Sequence, residues 1–154
     1  MEPRMDYVKA SPDAYRAMAG LEAFVRRSGI EHPLLHLIKL RASQINGCAY
    51  CIDMHSKDAR AAGETEQRLY GLGAWRESPC YTSRERAALV WTEAVTRVAD
   101  GHVPDAAYDA VRSHFDEKER VDLTVAVAAI NAWNRVAISF RSVPGSYRPS
   151  PSHA

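Results

Sequence analysis

Cys48, Cys51 and His55 stand in the stretch NGCAYCIDMH at spacings that chemistry can use. On a helix, residues three and four apart share a face. The two thiols can then close a small disulfide ring, and the imidazole can accept a proton from Cys51. A cysteine at the start of a helix is also acidified, because unpaired backbone N–H groups and the positive end of the helix dipole favour a thiolate. Such C-x-x-C thiols ionise below the ordinary cysteine pKa of about 8.5. The same residues also fit half of a metal cage, or three side chains that are merely neighbours. Covalent haem attachment does not fit, since that motif needs histidine directly after the second cysteine and Ile52 stands there.

For the dithiol reading a helix must begin at the pair, and local signals place one there. Pro33 opens a helix through LLHLIKLRASQI, with Leu34, Leu37, Ile38 and Arg41 on one face, and Asn46-Gly47 interrupts it. The next helix is expected from near Cys48 to about Arg60, ending at Gly63. Elsewhere, Ser11-Pro12 caps a helix carrying Tyr15, Met18, Leu21 and Val25 on one stripe, which stops at Ser28-Gly29. Thr65 caps EQRLYGLGAW, a helix that Gly71 and Gly73 weaken by about 1 kcal/mol each. Thr82 with Glu85, and Asp116 with Glu119, have capping-box spacing ahead of RAALVWTEAVTRVA and RVDLTVAVAAINAWNRVAISF. Between those two, Asp100-Gly101 ends one helix and Pro104 starts a short one through Ala107, Val111 and Phe115. No strand pair or repeat stands out. The expectation is an all-α single domain over residues 1–141, with a Pro/Ser-rich tail at 142–154 that is mobile unless a neighbouring subunit holds it.

The bulk properties narrow the class. The chain has 154 residues, 46% of them apolar, enough to bury a core without staples. Its 20 basic and 19 acidic residues leave a formal charge of +1 with no basic stripe, so nucleic acid is not expected as a partner. No apolar run approaches the roughly 18 residues that span a bilayer. The opening MEPRMDYVKASPDAY holds no apolar signal core, so the expected setting is cytoplasmic and without a membrane. Three cysteines make no disulfide framework; in a reducing compartment a close pair points to redox chemistry or metal binding.

The segment LIKLRASQINGCAYCIDMHSKDARAAGETEQRLYGLGAWRE, continuing through YTSRERAALVWTEAVTRVADGHVP to AAINAWNRVA, resembles alkylhydroperoxidase D-like members of the carboxymuconolactone decarboxylase family. The resemblance implies a helical bundle assembled into trimers or hexamers, and a thiol-dependent reduction of hydroperoxides or exchange with a disulfide. It implies no organic cofactor and an external thiol reductant. Carried over by motif, Cys51 is the thiol that attacks peroxide, Cys48 resolves the resulting sulfenic acid, and His55 belongs to the proton relay. Two positions depart from the family pattern. His36 stands where the relay has a glutamate; it can carry a proton but supplies no negative charge to hold an imidazolium at His55. Tyr50 replaces a histidine between the cysteines, with a hydroxyl able to donate to a substrate oxygen.

Two other readings remain at this point. Cys48, Cys51, His55 and His36 make a two-thiolate, two-imidazole set of the kind zinc accepts. Alternatively the pair is inert on a non-enzymatic binding or redox-sensing scaffold. Cys80 in ESPCYTS reads as an incidental loop thiol, and His32, His102, His114 and His153 as surface or cap residues. Trp75, Trp91 and Trp133 read as core or subunit contacts. Asn131 and Asn134, on an otherwise apolar helix, read as capping buried carbonyls or bonding across a subunit boundary.

Overall fold

The structure is a computed structural model and describes residues 2–149, among which every regular element is helical. Helices α1 (Tyr7–Ala10), α2 (Pro12–Arg26), α3 (His32–Asn46) and α4 (Ala49–Ala61) are followed by α5 (Glu66–Gly71), which runs into a 3-10 stretch, Leu72–Glu77. Then come α6 (Ser83–Thr96), the single turn α7 (Val98–Gly101), α8 (Asp105–Arg112) and the long α9 (Glu117–Phe140).

Local chemistry sets most of these boundaries. Both expected capping boxes form: Thr82 and Asp116 each accept a backbone N–H three residues on, and Glu85 and Glu119 return the bond. Pro12 sits in the first turn of α2 as expected, but the Ser11 side chain makes no capping bond. Four boundaries differ from expectation, one being α8, which stops at Arg112, short of Phe115. The helix after Thr65 leaves α geometry beyond Gly71 and kinks at Ala74. Helix α6 ends at Thr96, and the Asp100-Gly101 stop belongs to the separate turn α7. A short α1 was not anticipated; Asp6 caps it by accepting from the backbone of Val8 and Lys9.

Helix α3 is central, packing against α4, α6 and α9, while α2 and α8 cover α9 and α6. One apolar cluster gathers Leu34, Ile38, Ala88, Leu123 and Val127; a second gathers Leu37, Leu40, Leu72, Trp75 and Leu89. Each fully buried leucine among them contributes roughly 1.5–3 kcal/mol. Trp75 and Trp91 are core residues as expected.

Helix α9, at 24 residues with a window of mean hydropathy 1.3, is by length and composition able to cross a membrane, although Asp122 and Arg135 keep its uncharged run shorter than a bilayer span. Here its apolar side is packed inside the bundle, against α2, α3 and α6. A helix that forms the centre of a core meets the same composition.

The tail also differs from expectation. Residues 142–149 lie back along α4 of their own chain. The Gly145 N–H donates to Asp53 Oδ2 at 3.0 Å, and Lys57 Nζ donates to the Gly145 and Tyr147 carbonyls at 3.3 Å each. The Tyr147 hydroxyl donates to Asp58 Oδ1 at 2.6 Å. These contacts are all within the chain; residues 150–154 of the expected tail lie outside the described residues.

Candidate active site

Gly47 closes α3 in the left-handed conformation, φ 68°, which a side chain would strain. With the Cys48 N–H bonded to the Ser43 carbonyl, the chain turns sharply into α4. Cys48 therefore becomes the N-cap of α4, one position before the helix, and Cys51 falls in the first turn. The Cys48 sulfur takes the capping role usually filled by a hydroxyl or carboxylate, accepting the Cys51 N–H at 3.4 Å. Both cysteines are free thiols and almost fully buried, 1% and 2% exposed, against Ala137 and Tyr50.

This placement decides where the charge of the pair settles. The Cys51 thiol donates to the Cys48 sulfur, and that bond does most to bring Cys48 down to about 7. Burial opposes it; the Cys51 and Tyr50 N–H groups and the Asn134 amide assist it. Cys51 is pushed up instead, first because Cys48 holds its proton, then by burial and by the negative charge on Cys48. The resemblance gives Cys51 the attacking role, whereas at rest the lowered thiol is Cys48. The N-cap outranks the first turn because more donors converge on it.

Asn134 is fully buried, donates to Ser43 Oγ at 3.0 Å and accepts from Asn46 Nδ2 at 2.8 Å. Asn131 donates to Thr96 Oγ1 at 3.0 Å and to the Val127 carbonyl at 2.8 Å. Within the chain, these asparagines tie α9 to α3 and α6 beside the cysteines.

His55 is 6% exposed. Burial drives its pKa well below the ordinary value, and Lys39, His36 and Arg26 add positive charge in the same direction, so the ring is neutral. Its Nδ1 lies 3.9 Å from Asp58 Oδ2, and its Nε2 makes no hydrogen bond among the described residues. The expected direct bond from Cys51 to His55 Nε2 is therefore not made among the described residues.

A cavity of about 290 Å³ opens beside α4. Cys51, His55, His36 and Tyr50 line it, whereas Cys48 does not. Four of the five residues singled out in the sequence thus line one cavity, His36 from α3 and the others from α4, while Cys48 is hydrogen-bonded to Cys51 outside the lining. The remaining wall comes from elsewhere in the chain: Tyr7, Tyr15 and Trp133 are aromatic, Lys39 and Glu22 are paired charges, and Asp58 and Tyr147 close the α4 side. None of these was foreseen as part of a site, and Trp133 was read as a packing residue. Asp58 alone carried a signal, being three residues after His55 on the same helix. His32, read as a surface or cap residue, also reaches the cavity. Cys80 is exposed and far from the pair in sequence, as expected of a loop thiol. No group of three His, Cys, Asp or Glu side chains among the described residues converges on a point that would hold a metal ion, so Cys48, Cys51, His55 and His36 do not assemble as the zinc set.

Known proteins share this arrangement of helices. The carboxymuconolactone decarboxylase family profile matches residues 12–94. Uncharacterized protein YdfG of Bacillus subtilis (strain 168) is 45% identical over 139 residues, which cover 90% of this chain and 95% of that one. A protein of unknown function from Agrobacterium tumefaciens, described as a candidate antioxidant defence protein AhpD, is 51% identical. Its crystal structure superposes with a TM-score of 0.92 over 95% of this chain and 100% of that chain. The debrominase Bmp8 shares the fold alone, with a TM-score of 0.82 at 21% identity over 90% of this chain and 75% of its own. The chain belongs to the carboxymuconolactone decarboxylase family.

Proposed function

We propose that the protein is a thiol-dependent reductase of organic hydroperoxides, with Cys48 and Cys51 as its redox pair. The observation that carries this reading is the division of labour between the sulfurs: Cys51 faces a cavity, and Cys48 sits behind it as the better anion. A proton moved from Cys51 to Cys48, or to the vacant Nε2 of His55, leaves a thiolate on the cavity wall. That thiolate attacks the terminal peroxide oxygen; the O–O bond breaks, and Cys51 becomes a sulfenic acid while the alcohol leaves with a proton. Cys48 then attacks the Cys51 sulfur, forming S–S and releasing water. In total the dithiol loses two electrons and two protons, and the hydroperoxide becomes alcohol and water. An external dithiol must reduce the disulfide, which suits a reducing cytoplasm.

His36 and Tyr50 border the substrate space, His36 as a proton carrier and Tyr50 as a donor to the peroxide oxygen. The family resemblance further supports assembly into a trimer or hexamer, which native mass spectrometry reads directly.

The test is hydroperoxide consumption with a small-molecule dithiol as reductant. Cys51→Ser should abolish turnover, and Cys48→Ser, reduced beforehand and freed of dithiol, should consume one equivalent and stop as a sulfenic acid that dimedone traps. Full activity in both variants would sink the proposal. His36→Glu, assayed alongside, shows whether a carboxylate at that position raises the rate.

A further inference from the structure

We infer that Asp58 is the positioning residue of His55, holding the ring with its proton on Nδ1 so that Nε2 stays a bare acceptor inside the cavity. The inference rests on the dithiol reading for its purpose, but its geometry stands apart from it. Asp58 is 5% exposed and lies three residues after His55, with Oδ2 3.9 Å from His55 Nδ1. Its other oxygen, Oδ1, accepts the Tyr147 hydroxyl at 2.6 Å, so the carboxylate is anchored from the opposite side by the C-terminal arm.

A neutral imidazole has one donor and one acceptor nitrogen, while a carboxylate only accepts. At 3.9 Å the two are in electrostatic contact rather than hydrogen-bonded, and the field of the carboxylate favours the N–H on the nitrogen that faces it, Nδ1. The lone pair falls on Nε2, which is buried without a hydrogen-bond partner among the described residues. A buried acceptor left without a bond is costly to keep, and such groups mark functional positions. Once Nε2 takes a proton, the ring becomes a cation beside Lys39, Arg26 and His36, all of which oppose it. Glu22, the other carboxylate on the cavity wall, is already engaged with Lys39 and with Arg26 at 3.7 Å. Asp58 is left to offset the imidazolium, and Tyr147 keeps it in place to do so.

The experiment is the tautomer of His55, read from 15N-histidine NMR of the reduced protein without peroxide. The His55 signal is identified among six histidines by His55→Gln. We expect the Nδ1–H form in the unaltered protein, and a shift to Nε2–H in Asp58→Ala. A ring protonated on Nε2 in the unaltered protein overturns the inference, and that spectrum requires no variant to fold. So does an Asp58→Ala spectrum with the tautomer unchanged. Alkylation of Cys51 by iodoacetamide supplies a second readout: Asp58→Ala should slow it about tenfold, and His55→Gln should slow it as much. The double variant should be no slower than His55→Gln alone, whereas additive losses would show Asp58 acting by another route. Because neither readout uses peroxide, a protein that fails to reduce hydroperoxides can still pass both, and the two proposals fail separately.

Discussion

The Cys48 sulfur accepts the Cys51 backbone N–H at 3.4 Å, so the residue that caps α4 is also the one that carries the negative charge of the pair. Ultraviolet thiolate absorbance of the reduced protein should therefore show a first ionisation centred at about 7, below the ordinary 9.0. The depressed thiol stabilises the fold where the unfolded thiol is also ionised, above 9.0, and that contribution fades as pH falls through about 7. Cys48→Ser should remove the ionisation near neutrality and leave Cys51 as a thiol raised by burial. A titration unchanged in that variant would place the charge elsewhere.

Asn134 gives the next prediction, because its amide favours the ionised form of both cysteines. Asn134→Leu should move the first ionisation upward and slow iodoacetamide alkylation at neutral pH. It should also lower stability by about 1–3 kcal/mol, since the Asn46 amide loses an acceptor inside the protein. Denaturant unfolding measures the second effect and thiolate absorbance the first. A stability loss with an unmoved titration would make Asn134 purely structural.

How much of this was legible in the sequence depends on how local each signal is. The capping boxes at Thr82 and Asp116 involve residues three apart, and both formed as read. Gly47 likewise marked the break before the cysteines. The 3-10 stretch after Gly71 was not legible, because it presents Trp75 to a partner in α6: the indole donates to Glu93 at 2.8 Å. Cys48, Cys51 and His55 were legible as a group because one helix start carries them. Which sulfur holds the charge was not, since it turns on whether Cys48 is the cap or the first helical residue. Lys39, Tyr7, Tyr15, Trp133 and Tyr147 come from five other segments and carried no motif. Replacing the family's glutamate by His36 suggested a relay without a carboxylate, yet Asp58 places one beside His55.

Glu93 leads to a prediction about acid stability. Burial favours its protonation, but bonds from Trp75, Arg76 and Arg41 together win and lower its pKa. The carboxylate meets Arg41 at 2.7 Å and Arg76 at 2.6 Å while only 7% exposed. With a folded pKa below the ordinary 4.5, Glu93 stabilises the protein above that value, and the contribution disappears as pH falls through the folded pKa. Glu93→Gln should cost about 3 kcal/mol at neutral pH, because the half-buried Arg41 loses its counter-charge. The variant should also show a weaker fall in stability between neutral and acid pH than the unaltered protein. Thermal melts across that range decide it; parallel curves would mean the ion pairs contribute nothing.

Tyr147 tests whether the C-terminal arm is held as described. Burial and the Asp58 carboxylate both raise its phenol pKa, so the proton stays on the hydroxyl that bonds Asp58 well beyond the ordinary 10.0. A raised acid contributes stability fully below its unfolded pKa and loses it only as pH climbs through the folded one, so this contact persists across the neutral range. Tyr147→Phe removes one hydrogen bond to a charged acceptor, worth about 1.5–3 kcal/mol to the segment it anchors. The lysine and Asp53 contacts at Gly145 remain, but each spans about 3 Å at a partly exposed site. Hydrogen exchange at the Gly145 amide should therefore quicken by about tenfold or more in the variant, with exchange in α3 and α6 unchanged. Equal protection of Gly145 in both proteins would mean that Lys57 and Asp53, not the tyrosine, fasten the arm to α4.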